Sequence, residues 1–486
     1  MSNTVRARRV RTTGALALGV TAVLAVSGCR AAVPPTDPGT PASFTVNQVS
    51  TLPGAAFVAA GELNGNLASQ EIVTTEFRFS FGPYGPVPQP GQVSVSTKSG
   101  STWTSTPIIT PADGIIGPNK PTLTDVDGDG RTDIIVPSGY FFSALGNTPT
   151  GSMTWWRNNG NGTYTRHDIV TGLLGSYHTA IHVDFDGDGR KDIVSTFEDG
   201  GHPAYPFGGS LAPNIKTQYF KGLRGGNFAA PVTLFTGGGS LPVVADIDLD
   251  GNLDIATAQY FGVKTTAIPP FGITDESFVW YERTGSTSNG LDASDFTKHV
   301  IATGLGESFQ IIGVDNIDGN GKYGAIGVNH TNPKPSAPAA APQVFRFTPG
   351  SDIRAPWNVE VIANGFTPDN TGNGQAAPGF SVDGDVDGDG DVDIVVGGDS
   401  DWTVYWLERT GNGSWVKHDL AVESGQPAGT NWGQSGTLLT DLNHDGKNEI
   451  VFTSYNANGL FIASRNAGTG GNFPAVPRVP DLFMRY

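Results

Sequence analysis

The amino-acid sequence predicts an all-β fold, a β-propeller built from seven four-stranded antiparallel blades. Three observations carry this prediction. A short acidic loop recurs seven times along the 486 residues, at steps of 56 to 70 residues. A strand containing Trp or Tyr recurs between the loops, and 67 glycines and 34 prolines separate many short apolar runs. Recurrence at a regular period indicates a repeat architecture, and radial repetition of small sheets leaves only short, protected edges.

The clearest copy of the acidic loop is Asp125-Val-Asp-Gly-Asp-Gly-Arg-Thr-Asp133, which places carboxylates at positions 1, 3, 5 and 9. Hard oxygen donors at this spacing suit Ca²⁺, which takes about six to eight oxygen ligands. Gly130, at position 6, permits the positive φ that folds the loop back towards the ion. Carboxylates this close together would repel one another without a cation, so a solvated acidic turn is the weaker interpretation.

Five copies keep all four ligand positions, and two are degenerate. The intact copies start at residues 125, 184, 246, 385 and 441, and we expect about five structural Ca²⁺ ions from them. The degenerate copies start at Glu62 and Asn316, and the sequence leaves open whether they bind metal. The predicted calcium ligands are Asp125, Asp127, Asp129, Asp133, Asp184, Asp186, Asp188, Asp192, Asp246, Asp248, Asp250, Asp254, Asp385, Asp387, Asp389, Asp393, Asp441, Asn443, Asp445 and Glu449.

Each repeat divides into four short strands, A to D, and no window shows helical periodicity. Strand A precedes the acidic loop, as in residues 242–245, and strand B follows it, as in 193–196. Strand C carries the aromatic element, as in 404–407, and strand D is a Phe/Tyr-x-x-His-x-Ile segment. Two terminal segments, 44–49 and 472–476, each have the pattern of a strand D without its own blade. Either of them could close the ring.

The loops and the aromatic element together resemble the FG-GAP/VCBS family of calcium-loop β-propellers, which includes the integrin α-subunit head. The loops match the pattern D-x-D-x-D-G-x-x-D followed by Ile-Val strands. The aromatic element runs from Trp155 to Ile169 and returns at 280–300 and 406–420. The resemblance covers roughly residues 44–480 and implies a propeller with bound calcium. It implies no single activity, because such propellers serve as adhesins, lectins, lyases and scaffolds.

The N-terminus has the pattern of a bacterial export signal. Four arginines between Arg6 and Arg11 precede an apolar run at Gly14–Val26, which is too short for a permanent transmembrane helix. Val26-Ser-Gly-Cys29 follows and resembles a lipobox, in which the cysteine is acylated after cleavage. Cys29 is the only cysteine, so it cannot form a disulfide within the chain. An ordinary secretory signal is the alternative.

These features divide the chain into three parts. Residues 1–28 are the predicted signal peptide, 29–42 a Pro-rich tether and 43–486 the propeller. We therefore expect an exported monomer that is lipid-anchored at the bacterial cell surface, or secreted if Cys29 is not acylated. The net charge of −17 speaks against nucleic acid or anionic lipid as the main partner. Membrane contact is expected only through the anchor.

Antiparallel strands sort the connections onto two faces. The A–B loops with their acidic motif share one face with the C–D turns, and the B–C and D–A connections share the other. The B–C loops vary in length and are rich in aromatic residues, and variable loops on a rigid scaffold are where function usually resides. We expect a glycan or a surface protein to bind there. The predicted ligand-binding residues are Tyr140, Phe142, Tyr205, Phe207, Phe271 and Trp432.

Two alternatives to a binding protein remain open. One is an enzyme acting on polysaccharide by a lyase or dehydratase-like reaction, since enzymes of the family that eliminate across uronic acids use His and Tyr near the channel mouth. The candidate acid/base residues are Tyr177, His178, His202 and His330. The other is a scaffold without a small ligand. No nucleophile-elbow, zinc-protease, P-loop or dinucleotide motif appears, and we favour a protein that is not an enzyme.

Overall fold

The computed structural model describes most of the chain from residue 41 to residue 471. The described ranges are 41–66, 69–82, 85–139, 148–199, 214–239, 241–260, 274–285, 290–315, 323–330, 341–366, 378–398, 403–410, 413–427, 430–433 and 436–471. Within them the chain forms seven antiparallel sheets. The all-β prediction of seven four-stranded blades is confirmed.

The first four blades follow one another along the chain. Blade 1 consists of β2 (Ala55–Gly61), β3 (Glu71–Gly82), β4 (Gly85–Ser99) and β5 (Thr102–Ile109). Blade 2 consists of β6 (Thr122–Thr124), β7 (Asp133–Ser138), β8 (Gly151–Asn158) and β9 (Tyr164–Leu173). Blade 3 consists of a divided strand A, β10 (Ser176–Tyr177) and β11 (Ile181–Val183), with β12 (Asp192–Asp199), β13 (Asn214–Phe220) and β14 (Val232–Thr236). Blade 4 consists of β15 (Val243–Ala245), β16 (Asp254–Ala258), β17 (Glu276–Arg283) and β18 (Phe296–Thr303).

The last three blades use the remaining strands and the N-terminal strand. Blade 5 consists of β19 (Ser308–Asp315), β20 (Tyr323–Asn329), β21 (Val344–Thr348) and β22 (Asn358–Ala363). Blade 6 consists of β23 (Ser381–Gly384), β24 (Asp393–Val396), β25 (Tyr405–Arg409) and β26 (Trp415–Asp419). Blade 7 consists of β27 (Thr437–Thr440), β28 (Glu449–Ser454), β29 (Gly459–Arg465) and β1 (Phe44–Thr51).

Helical structure within the described ranges is minor. Two 3₁₀ turns span Pro111–Asp113 and Ala293–Asp295. One helix, α1 (Leu420–Glu423), is a single turn capped by the Asp419 carboxylate, which accepts hydrogen bonds from the amides of Ala421 and Val422. No described helix has the length and apolar character needed to cross a membrane.

The N-terminal strand closes the ring. β1 pairs antiparallel with β29, from Phe44 opposite Arg465 to Thr51 opposite Gly459. One of the two predicted closing segments, 44–49, therefore supplies the outer strand of blade 7. The other, 472–476, lies outside the described residues.

Among the described residues, seven hydrophobic clusters hold the blades together, and each one joins two neighbouring blades. Ile134 of blade 2, for example, packs with Val73 of blade 1, and Phe278 of blade 4 packs with Phe347 of blade 5. The cluster around Leu442 and Ile72 joins blade 7 to blade 1. Because the series returns to its starting blade, the core of the molecule is a closed ring of interfaces between sheets.

The connections divide between two ends of this ring. The acidic-loop face carries the acidic A–B loops and the C–D turns. The mouth face carries the B–C and D–A connections, around the opening of the central channel. Strand A of each blade lies innermost, since these strands contact one another around most of the ring, as β23 contacts β27 and β27 contacts β2.

Candidate functional site

The first aspartate of each acidic loop closes the loop onto itself. Asp125 Oδ1 accepts a hydrogen bond from the amide of Gly128 (2.8 Å), and Oδ2 accepts one from Gly130 (2.8 Å). Gly130 has φ +84°, a conformation that a residue with a Cβ adopts only with strain. The bond from position 6 to position 1 recurs in the four other intact loops, where the pairs are Gly189 and Asp184, Gly251 and Asp246, Gly390 and Asp385, and Gly446 and Asp441.

In four of the intact loops the last carboxylate joins the loop to the end of strand C. Asp393 has no exposed surface. Its Oδ2 accepts from the amide of Val386 in the loop (2.9 Å), and its Oδ1 accepts from the amide of Arg409 at the end of β25 (2.9 Å). The same pair of contacts is made by Asp133, Asp192 and Asp254. This side chain therefore organises both the loop and the adjoining hairpin.

Burial disfavours the charged form of these carboxyl groups. It raises the pKa of Asp192 to about 6 and the pKa of Asp254 to about 7, against the hydrogen bonds that favour the charged form. The pKa of Asp393 is raised well above its ordinary value, first by burial and then by the neighbouring Asp387 carboxylate. A divalent cation would reverse this effect, because it favours the charged form of every ligand around it.

The geometry of four intact loops fits a calcium ion. In each, three carboxylates bring one oxygen atom apiece to within 4.8 Å of the others, and the four groups are Asp125 with Asp127 and Asp133, Asp184 with Asp186 and Asp192, Asp246 with Asp248 and Asp250, and Asp385 with Asp387 and Asp393. Oδ1 of Asp184 and Oδ1 of Asp246 are buried and accept no hydrogen bond. Buried carboxylate oxygens without a donor are the atoms that a hard cation would coordinate. These residues would hold Ca²⁺, which would supply charge neutralisation and fix the hairpin.

The fifth intact loop and the loop of blade 1 depart from this pattern. Asn443 replaces the second carboxylate in the fifth loop and donates a hydrogen bond from its side-chain amide to Glu449 (3.1 Å). At the fourth position His444 has φ +58°, where blade 2 has a glycine. In blade 1, Glu71 accepts from the amide of Leu63 (2.8 Å) and so takes the role of the last carboxylate. The degenerate loop at 316 lies outside the described residues.

Two of the candidate acid/base residues on the mouth face, Tyr177 and His178, contact polar side chains of blade 3; Tyr177 is buried and His178 is partly exposed. Tyr177 has no exposed surface and donates a hydrogen bond from its hydroxyl to Gln218 Oε1 (2.6 Å). Burial raises the pKa of its hydroxyl well above the ordinary value. His178 Nδ1 lies 2.8 Å from a carboxylate oxygen of Glu198, which is fully buried. The fourth candidate, His202, lies outside the described residues.

His330 belongs to a different part of the mouth. It is 4% exposed, and its Nδ1 lies 3.0 Å from the carbonyl oxygen of Pro378. Its ring stacks on Phe309 with centroids 4.6 Å apart. The side-chain contacts described for Tyr177 and His178 thus go to blade 3, whereas that of His330 goes to the segment before β23 of blade 6.

An aromatic chain runs along the mouth face from blade 4 through blades 5 and 6 to blade 1. Its rings are in successive contact, with centroid distances of 5.3 Å for Tyr260 and His330, 4.6 Å for His330 and Phe309, 5.1 Å for Phe309 and Phe380, 4.8 Å for Phe380 and Phe57, 5.8 Å for Phe57 and Phe77, and 6.3 Å for Phe77 and Phe79. Tyr260, Phe77, Phe79 and Phe380 are each partly exposed. We name this set the mouth aromatic chain.

Sequence reasoning did not identify Phe57 or Phe380 as part of the mouth. Both lie in or beside strand A, and only the closure of the ring brings blade 6 into contact with blade 1. Of the predicted ligand-binding residues, Trp432 is 5% exposed and packs on Phe452 and Phe461 with centroids 5.1 and 5.9 Å away. The others, Tyr140, Phe142, Tyr205, Phe207 and Phe271, lie outside the described residues, as does Cys29.

Three histidines recur on strand D and pack against the aromatic residue of strand C. His167 stacks on Trp155 (4.2 Å between centroids), and His418 stacks on Trp406 (4.2 Å). His299 lies against Trp280 (4.7 Å). His418 also contacts two carboxylates, with Nδ1 2.5 Å from Glu423 and Nε2 2.8 Å from Glu408. The same arrangement in three blades is a packing feature of the repeat.

Comparison with known proteins agrees with this architecture. The family of FG-GAP-like repeats matches residues 385–452, which run from the acidic loop of blade 6 to β28 of blade 7. No curated protein sequence matches significantly. One similar solved structure is that of an Agrocybe aegerita lectin that specifically recognises non-reducing terminal N-acetylglucosamine. It has 16% identity and a TM-score of 0.42, and the match covers 89% of this chain and 95% of that one.

Two further solved structures are similar at comparable levels. The α-L-arabinofuranosidase Arb93A of Fusarium graminearum has 11% identity and a TM-score of 0.44, covering 87% of this chain and 98% of that chain. The V. cholerae biofilm matrix protein Bap1 has 14% identity and a TM-score of 0.36, covering 91% of this chain and 94% of that chain. The chain is a seven-bladed β-propeller, and the match of residues 385–452 to the FG-GAP-like repeat together with the recurring acidic loops supports a propeller of the FG-GAP/VCBS type.

Proposed function

We propose that the chain is a calcium-stabilised binding propeller that takes a glycan at its mouth face. The observation that carries the proposal is the mouth aromatic chain, in which Tyr260, Phe77 and Phe380 keep part of their rings exposed while their neighbours anchor them. Exposed aromatic faces held rigidly offer large contact area at little entropic cost, and they suit the apolar faces of sugar rings. The Tyr260 hydroxyl adds a hydrogen-bonding group.

Binding is better supported than polysaccharide cleavage. A general acid or base has to reach the substrate proton, directly or through one water molecule. Tyr177 has no exposed surface, and its hydroxyl is committed to Gln218. His178 faces the buried Glu198 carboxylate. Tyr177 is therefore withdrawn from a substrate at the channel mouth, and the candidate acid/base pair is reduced to His178, which keeps 12% of its side chain exposed.

The glycan proposal can be tested with a glycan array and two variants. We expect Tyr260→Ala combined with Phe380→Ala to weaken the best glycan by at least about tenfold, because aromatic anchors dominate binding energy. Phe380 also packs against the core cluster of blades 5 and 6, so the variant should melt at a lower temperature, and affinities are compared where both proteins are fully folded. The matched control is Trp103→Ala, a partly buried aromatic on strand D of blade 1 that lies outside the mouth aromatic chain.

The same experiment can contradict the proposal in two ways. If the protein binds none of the glycans on the array, the proposal of a glycan ligand is wrong. A glycan whose affinity survives in the Tyr260/Phe380 variant and is lost in the Trp103 control would place the binding surface elsewhere.

We further propose that the protein is exported and lipid-anchored through Cys29 at the cell surface. The support is the sequence alone: the basic segment, the apolar run and Val26-Ser-Gly-Cys29. The proposed tether at 29–42 would attach to β1, the strand that closes the ring. The calcium number of about five also remains a proposal, supported by five intact loops.

Cys29→Ser tests the anchor. We expect this variant to leave the membrane fraction and appear in the soluble exported fraction, since one acyl site would be lost. Cell fractionation with immunodetection measures this, and Ser27→Ala is the control that should remain membrane-bound. Membrane association that is unchanged in Cys29→Ser would mean that lipidation at this residue is not the anchor.

A further inference from the structure

The acidic loops differ in the side chain that strand C places against them. In blades 2, 3, 4 and 6 one strand-C residue donates its amide to the last carboxylate, and the residue before it occupies what we call the flanking position. The flanking residues are Arg157, Lys221, Glu282 and Glu408. Two blades therefore carry a cation at this position, and two carry an anion.

In blades 2 and 3 the flanking cation bridges two loop carboxylates. Arg157 Nε lies 2.6 Å from Asp127 Oδ2, and its Nη2 lies 2.7 Å from Asp129 Oδ2. Lys221 Nζ lies 2.6 Å from Asp188 Oδ2 and also pairs with Asp186. In both loops the cation contacts the carboxylates at positions 3 and 5, so part of the charge that calcium would neutralise is already balanced.

Blade 4 obtains a cation from its neighbour. Arg354, between β21 and β22 of blade 5, places Nη2 2.5 Å from Asp248 Oδ2 and 2.6 Å from Glu282 Oε1. Its Nε also donates to Glu282 Oε2 (2.9 Å). The positive charge of Arg354 is thus shared between Asp248 and the flanking Glu282. It neutralises less of the negative charge of its loop than Arg157 and Lys221 do in blades 2 and 3.

Blade 6 has no such cation on its ligands. Among the residues that the structure describes, no Lys or Arg forms an ion pair with Asp385, Asp387, Asp389 or Asp393. The ion pair of this loop joins Arg409 to Asp391, at position 7 and 3.2 Å away. Asp387 and Asp389 are only 1% and 2% exposed, so water does not screen them.

Arg465 is the basic residue beside the blade 6 loop. Its charge partly offsets those of Asp385 and Asp387 without bridging them as the flanking cations of blades 2 and 3 bridge the carboxylates of their loops. Arg465 lies against the backbone of Gly388, where a Cβ would meet its Nη1. Its Nε and Nη1 make no hydrogen bond in the described structure. The flanking Glu408 adds a further negative charge and contacts His418 (2.8 Å). Buried like charges that are only partly offset are unfavourable, and an external cation would balance the remaining negative charge.

We propose that the acidic loops bind calcium with graded affinity, so that blade 6 holds the tightest ion while Arg157 and Lys221 act as built-in counter-cations that weaken the sites of blades 2 and 3. The reason is Coulombic. A cation bridging two ligands lowers the attraction that the loop exerts on a second cation a few ångströms away. At limiting calcium the blade 6 hairpin is occupied first, next to the blade that the N-terminal strand completes.

The proposal is tested by calorimetric titration of the full metal-free chain with calcium. We expect a tight class of sites and a weaker class. Lys221→Gln should move one site from the weak class towards the tight class by at least about tenfold in affinity, and Arg157→Gln should do the same for its loop. Lys298→Gln is the matched charge control. It removes an ion pair between Lys298 on strand D and Glu276 on strand C of blade 4, and it should leave the isotherm unchanged.

A second variant tests the blade 6 loop, which we expect to bind calcium most tightly. Asp387→Asn keeps the shape of the blade 6 ligand and removes its charge, so the tightest binding class should disappear while the weak class remains. Two results would overturn the proposal: a single class of equal sites in the wild-type protein, or isotherms of Lys221→Gln and Arg157→Gln that match the wild type. These outcomes do not depend on any glycan, and they leave the proposed binding function a separate question.

Discussion

Replacing Asp393 by alanine should lower the free energy of unfolding by about 3–5 kcal/mol in calcium-containing buffer. The side chain is fully buried, and its two oxygens accept the amides of Val386 and Arg409. Its removal leaves two buried donors without partners and takes one ligand from the calcium centre. Urea unfolding followed by tryptophan fluorescence measures the change.

An exposed aspartate provides the control for this experiment. Asp168, on β9, keeps 53% of its side chain exposed and pairs with Arg166 at 2.7 Å. Exposed ion pairs contribute at most about 1 kcal/mol, so Asp168→Ala should have a small effect. If Asp393→Ala destabilises the protein no more than Asp168→Ala does, the last carboxylate of the loop does not organise the blade.

Removing calcium should lower the melting temperature by on the order of 10 °C or more. An ion present at about a hundred times its dissociation constant adds about 2.7 kcal/mol of stability per site, and several sites act together. Calorimetry in excess chelator measures the effect, and restoring calcium should reverse it. Magnesium should restore less stability, because it demands a smaller octahedral site. A melting temperature that is unaffected by the chelator would contradict a structural role for the ions.

The repeat itself made the architecture predictable. The spacing of the acidic loops indicates the number of blades, and the apolar segments around each loop correspond to strands A and B. Both terminal segments have the strand-D pattern, so local sequence could not decide between them. The choice depends on which segment reaches the edge of blade 7, and that is a property of the assembled ring.

The functional side chains were harder to predict because their neighbours are distant in sequence. Arg354 reaches the acidic loop of blade 4 from blade 5, across 106 positions from Asp248. Phe380 meets Phe57 only because the ring is closed. Trp432 follows a loop with a polar sequence, yet it packs into the interface between blades 6 and 7. Periodicity describes each blade, whereas these contacts arise between blades.

The flanking position could have been identified from the sequence. It lies directly before the strand-C residue that binds the last carboxylate, so Arg157, Lys221, Glu282 and Glu408 can be aligned once the hairpins are known. The sequence pattern alone does not reveal which of these side chains contact the loop. Arg157 and Lys221 do so, whereas Glu408 faces His418.

The most direct test of the central claim, that calcium ions in the acidic loops hold the propeller together, is a count of bound ions. Equilibrium dialysis of the folded protein in millimolar calcium, followed by elemental analysis, should find about five ions per chain, one for each intact loop. A protein that is fully folded and contains no calcium under these conditions would contradict the claim.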